Sequence, residues 1–77
     1  MKVKIHGVRQ IRIAEDYIRL DALLKYAAIA STGGEAKYFI QKGKVYVCGA
    51  QCTQRGKKIC SGDIVRCGGN LLRVMQK

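Results

Sequence analysis

The apolar residues of this chain change period at Lys44. Before that point Leu20, Leu23, Leu24, Ala27 and Ala28 fall at i, i+3, i+4, i+7 and i+8, which is one stripe of an α-helix. After it Val45 and Val47 alternate with Lys44, Tyr46 and Cys48, the pattern of a half-buried strand. A chain of 77 residues has room for one small core. Its helical middle and its β second half must therefore bury their apolar faces against each other. The expected fold class is α+β, a helical hairpin packed on a small, mostly antiparallel sheet, forming a single domain over residues 1–77.

Punctuation residues divide the chain further. Asp21 is placed to cap the first helix. Thr32-Gly33-Gly34-Glu35 fits a capping box, in which the hydroxyl serves one free N–H and the carboxylate reaches back to another. Ala36, Phe39 and Ile40 form the second helix's apolar stripe, and Lys42 followed by Gly43 supplies a basic last turn and a terminating glycine. Ile29-Ala30-Ser31 joins the two helices. Upstream, Val3 and Ile5 alternate with Lys2, Lys4 and His6, and Ile11 and Ile13 flank Arg12. Both read as short strands, with Tyr17-Ile18-Arg19 extending the second region. Downstream come a two-residue turn at Gly49-Ala50, an extended Gln51-Cys52-Thr53 and a basic loop Gln54-Arg55-Gly56-Lys57-Lys58. A turn at Ser61-Gly62-Asp63, a strand over residues 64–67, a hairpin turn at Gly68-Gly69-Asn70 and a last strand over 71–75 complete the chain.

Few residues are available for catalysis. The one histidine, His6, has no identifiable partner. Asp21, Glu35 and Asp63 each have a capping or turn role. No Ser/His/Asp or Cys/His group can be assembled to activate a nucleophile, and Ser31-Thr32-Gly33-Gly34 lacks the Gly-Lys-Ser/Thr ending of a P-loop. The cysteines at 48, 52, 60 and 67 contain one C-x3-C pair and no second pair to complete a zinc knuckle. They read as reduced thiols, Met1-Lys2-Val3-Lys4 does not open a secretory signal, and no apolar run reaches the ~18 residues of a membrane span. The expectation is a cytoplasmic protein, not an enzyme, with no cofactor, no metal and no membrane partner.

The charge points elsewhere. Fifteen Lys and Arg face five Asp and Glu, a net charge of +10, in a chain that is 48% hydrophobic and so too apolar for a disordered basic tail. From residue 36 to 77 Asp63 is the one acid against nine Lys and Arg, and cations left unneutralised in this way await an anion. Arg19 and Lys25 lie off the first helix's apolar face. Lys37 lies off the second, with Gln41 four positions later. Arg55, Lys57 and Lys58 share a loop in which Gly56 lets the backbone bend toward a ligand. The free N–H groups of Gly33, Gly34 and Glu35, opening the second helix, suit a phosphate. The tyrosines do not form a paired stacking platform, and packing against lysine stems at the edge of the core is expected of them.

These residues also carry a resemblance. Arg19-Leu20-Asp21-x-x-Leu24, Ala36-x-x-x-Ile40, Gly43-x-Val45-x-Val47-x-Gly49 and Gly62-Asp63-x-Val65 resemble the RNA-binding domain first seen in small-subunit ribosomal protein S4, over about residues 17–69. Ser31-Thr32-Gly33-Gly34-x-Ala36-Lys37 and Arg55-x-Lys57-Lys58 are similar to the small standalone bacterial members that associate with ribosomes. The resemblance implies an alpha-L motif, two helices and the following strand-loop region gripping structured RNA, with Lys37, Lys44, Arg55, Lys57 and Lys58 as contacts. Two positions depart from the pattern. Gly33 stands where many S4 domains have arginine, and Cys48 where asparagine is common.

The expected function is recognition of structured RNA, ribosomal RNA above all and transfer RNA as a further candidate, on the ribosome or a ribosomal particle. Cations would neutralise phosphates while backbone shape, rather than base sequence, is read. The alternative is an adaptor whose basic face docks an acidic protein on a ribosome-like assembly.

Overall fold

Ile11 and Ile13 do form a strand. In the computed structural model, which describes residues 8–77, β1 spans Arg9–Ile13, with Ile11 and Ile13 buried and their neighbours exposed. The strand expected around Val3 and Ile5 lies outside the described residues. Tyr17–Arg19 is not a continuation of β1 but a separate short strand, β2. Helices α1 (Leu20–Tyr26) and α2 (Gly33–Gln41) follow, then β3 (Val45–Val47), β4 (Ala50–Gln51), β5 (Lys58–Cys60), β6 (Ile64–Cys67) and β7 (Asn70–Gln76).

The main sheet has the order β1-β7-β6-β3-β4. Its pairs are antiparallel except β1 with β7, which run parallel in the register Ile11↔Val74. β2 and β5 form a second, two-stranded antiparallel unit. Because side chains alternate across a sheet, the register Val47↔Val65↔Leu72 lines one face with apolar groups. That face joins Leu20, Leu23, Leu24, Ala27, Ala36 and Ile40 from the helices in one buried cluster. The opposite row, Tyr46↔Arg66↔Leu71, carries the more exposed residues.

Helix α2 is bounded as its sequence dictates. Thr32 Oγ1 accepts the Glu35 N–H at 3.1 Å, and Glu35 Oε1 accepts the Ser31 N–H at 2.6 Å, a capping box reaching one residue further back than the usual form. At its end Gly43 takes φ +76°. Its N–H donates to Ile40 O and that of Lys44 to Phe39 O, the two bonds of a Schellman motif. Helix α1 ends with the same pair of bonds, Ala28 N–H to Lys25 O and Ile29 N–H to Leu24 O. Here, however, an alanine occupies the left-handed position, at φ +63°. Ala28 is therefore past the helix and exposed, not on its apolar stripe as the spacing suggested.

Two other local expectations shift. The β3–β4 turn is Cys48-Gly49, with φ +51° and +87° between the paired Val47 and Ala50, one residue earlier than Gly49-Ala50. Both central residues have positive φ, the type I′ arrangement that matches strand twist. Lys58 belongs to β5 rather than to the loop, and Ile59 beside it is fully buried. The turn at Gly68-Gly69 stands as expected, with Cys67 and Asn70 paired across it.

Candidate nucleic-acid interface

The start of α1 is where the cations gather. Its N-cap residue is Arg19, with no side-chain capping bond, and Asp21 sits inside the first turn instead of capping it. The free N–H groups that every helix start exposes find acceptors in the distant loop: Leu20 N–H donates to Lys57 O at 2.9 Å and Asp21 N–H to Arg55 O at 3.1 Å. Those two bonds fasten the basic loop to the helix.

Asp21 completes the attachment through its side chain. It is only 8% exposed. Its Oδ1 accepts from Arg19 Nε and its Oδ2 from Arg55 Nε, each at 3.2 Å, with a further bond from Arg19 Nη2 to Oδ2. Oδ1 also accepts the Ala22 N–H at 2.8 Å. Burial pushes the carboxyl's pKa up, but the bonds from Arg19, Arg55 and Ala22 and the Arg19 charge outweigh it, and the net position is below the ordinary 3.8. Both arginines keep about half of their side-chain surface in solvent, 56% and 43%, so N–H groups remain to meet an anion. The Arg19 guanidinium lies across Gly56, 3.6 Å from where a Cβ would stand. Lys58 pairs with Arg19 across β2 and β5 and places its Nζ 4.8 Å from the centroid of the Tyr17 ring, a cation–π contact.

The remaining expected contacts lie apart from this cluster. Lys25 is exposed in the last turn of α1. Lys37 and Gln41 are exposed on α2, one turn apart on one face. The Gly33 and Gly34 N–H groups precede the first intrahelical bond, whereas the Glu35 N–H, also expected to face a phosphate, is taken by Thr32 Oγ1. Lys44 sits elsewhere, in a cleft of about 510 Å³ with Ile29, Phe39, Tyr46 and Arg66. Burial raises the thiol pKa of Cys67 in that cleft, and the Lys44 charge opposes the rise.

Arg66 was not among the expected contacts. Its signal was present as the polar member of an alternating strand, but alternation marks such a residue only as outward-facing. In the structure its guanidinium lies over the Tyr46 ring, Cζ 4.8 Å from the centroid, a cation–π contact. Lys42 likewise lies 5.7 Å over Tyr38. Tyr17, Tyr38 and Tyr46 thus each lie beneath the charged group of a basic side chain, Lys58, Lys42 and Arg66 in turn, where packing against lysine stems was expected.

Among the described residues no three His, Cys, Asp or Glu side chains come together as a metal site, and no helix is long and apolar enough to cross a membrane. Arg19 and Arg55, both on Asp21, form the ion pairs of the described chain.

Comparison with known proteins agrees with this architecture. The model of the S4 domain family matches residues 11–75. A probable ribosome maturation protein, RlbA of Bacillus subtilis (strain 168), is 36% identical over 59 residues, a stretch that covers 77% of this chain and 83% of that protein.

Proposed function

The chain belongs to the S4 domain family, and from that membership and its basic surface we propose that it is a non-enzymatic module binding structured RNA, ribosomal RNA in the first place. The observation that carries the reading is the cluster at the start of α1. Arg19, Arg55, Lys57 and Lys58 are tied there by backbone and ion-pair bonds, with Asp21 as the carboxylate among them. Lys25, Lys37 and Gln41, with the Gly33 and Gly34 N–H groups, extend the surface along the helical hairpin, and Lys44 adds a separate point of contact. The relative's name, a ribosome maturation protein, supports a ribosomal particle as the setting.

The mechanism is phosphate neutralisation on a rigid frame. Two backbone bonds and Asp21 hold the loop at a fixed angle to α1, so the cations meet phosphates with the spacing of a folded RNA rather than of a flexible strand. Engagement of roughly four to six phosphates gives a slope of about −3 to −5 for log K against log salt.

Fluorescence anisotropy with a ribosomal RNA fragment, titrated across potassium chloride concentrations, tests this. Lys57→Glu combined with Lys58→Glu is expected to weaken binding severely while circular dichroism stays unchanged. The Lys58 substitution also sets a carboxylate opposite Arg19 across the strand pair. Unchanged affinity in a folded double variant, or an affinity indifferent to salt, refutes the reading. Nuclease treatment is expected to release the protein from ribosomal fractions; retention would favour a protein-docking role instead.

A further inference from the structure

The α1 cluster leaves unused a cleft of about 510 Å³ whose lining shares no residue with it. It opens where α2 ends, β3 begins and the β6–β7 hairpin turns, and it joins three kinds of surface. Phe39 and Ile29 are half-buried apolar groups packed on the core. Tyr46 presents a ring with the Arg66 guanidinium over it, in cation–π contact. Lys44 and Arg66 supply two positive charges, and among the described residues no carboxylate lines the cleft and neither cation forms an ion pair. Gly68, whose Cβ position has nothing within 4 Å, leaves one wall without a side chain. Asn70 donates one amide N–H to Cys67 O, which leaves its carbonyl oxygen and second N–H for a ligand.

We propose that this cleft holds one unpaired nucleotide of a bound RNA, its base against Phe39 and the Tyr46–Arg66 pair, its phosphate on Lys44 and Arg66, and its base edge at Asn70. The assignment rests on the RNA-binding reading and adds a single-stranded site to it. Volume, lining and charge each bear on the choice. The cleft is of the size that encloses a small ligand. Aromatic and guanidinium planes are the surfaces on which an unstacked base lies. Two unpaired cations beside them select an anionic ligand over a neutral one. A paired duplex cannot offer its bases to such a cleft, so α1 and the cleft address different parts of one RNA: the first its folded backbone, the second a nucleotide in a bulge, loop or end.

The experiment is a set of amide chemical-shift titrations of the whole ¹⁵N-labelled protein with three probes: an adenosine oligoribonucleotide pentamer, adenosine 5′-monophosphate and a blunt RNA duplex. The pentamer is expected to move resonances at Phe39, Lys44, Tyr46, Arg66 and Asn70, and the duplex those around Arg19, Arg55 and Lys57. Arg66→Ala, an exposed position outside the duplex-binding set, is expected to weaken the pentamer by at least about five-fold, the low end of what one stacked base contributes, and to spare the duplex. A pentamer that leaves the cleft resonances unmoved while the duplex still binds overturns this inference alone. Failure of both probes overturns the RNA-binding reading itself. A monophosphate that binds as tightly as the pentamer overturns the assignment to an RNA strand in favour of a free nucleotide.

Discussion

Replacing Asp21 by asparagine removes one negative charge that two guanidinium groups share. Asparagine keeps an oxygen for the Ala22 N–H, so the substitution isolates the charge from the helix-start hydrogen bond. The size of the effect follows from exposure. An ion pair exposed on both sides contributes about 0.2–1 kcal/mol, while deleting one partner of a buried pair costs about 3–5 kcal/mol. Asp21 has 12% of its side-chain surface in solvent against 56% and 43% for Arg19 and Arg55, which lies between those limits. A loss of about 1.5–2.5 kcal/mol is expected at neutral pH, and at about 4–8 °C per kcal/mol for a domain of this size it lowers Tm by roughly 6–20 °C. Because the folded-state pKa of Asp21 lies below its ordinary 3.8, the carboxylate's contribution is fully present above that value. It disappears as pH falls through the folded pKa. Urea melts of both proteins at pH 7 and near pH 2 read this directly, urea being preferred to guanidinium because a salt would screen the pairs. The stability gap should be open at pH 7 and largely closed at the acid end. A gap of the same size at both pH values, or one below about 0.3 kcal/mol at pH 7, refutes the reasoning, since the charge would then not be what holds the loop to the helix.

Three backbone positions yield further expectations, each checked by the same melts. Ala28→Gly relieves a left-handed alanine costing about 1–2 kcal/mol and adds about 0.4–1 kcal/mol of unfolded-chain entropy. With the side chain exposed, the net is a gain of about 0.5 kcal/mol, and a loss would refute it. Cys48→Asn places the residue that best tolerates φ +51° at the first central position of the type I′ turn. It should stabilise by about 0.5 kcal/mol, since the Cys48 Sγ contact with Asp63 Oδ1, at 3.7 Å, is weak. Gly43→Ala should cost about 2 kcal/mol: its φ of +76° disfavours any Cβ, and the new methyl would press on the Gln51 amide that donates to Gly43 O.

What could be read in advance was whatever is written within one turn of chain. Helix α2 is the clear case: its cap residue, its stripe of Ala36, Phe39 and Ile40 and its terminating glycine lie within a dozen positions, and all stand as expected except that Phe39 is only half-buried. Failures occur where a partner lies far along the chain. Asp21 has the composition of a cap, but the first N–H groups of α1 are satisfied by carbonyls of residues 55 and 57, and no local pattern encodes that. β5 escaped because Ile59 is its one buried residue, and a single apolar position between Lys58 and Cys60 has no period. The parallel pairing of β1 with β7 joins the two ends of the described chain, and alternation in either strand is silent about its neighbour. The turn at Cys48-Gly49 was misplaced by one residue because cysteine occupies the position where asparagine would have announced it.

The carboxylates explain why the positive charge remains available. Asp21 holds two arginines. Glu35 closes the α2 capping box, Asp63 accepts the Cys60 N–H across its turn, and Asp16 accepts from Gln76. Four of the five acids in the chain thus have partners within it, and one of those four neutralises cations. That one is placed where neutralisation also does structural work, since Asp21 fixes the directions of Arg19 and Arg55 while leaving each about half exposed. A loop carrying the same cations without Asp21 would have a stronger field and a less defined shape. Such a surface binds polyanions indiscriminately, because charge alone carries no geometry. Asp21 therefore lowers the net charge by one and gives the remaining charge an orientation, and under the proposed function any preference for folded over extended RNA would depend on that orientation.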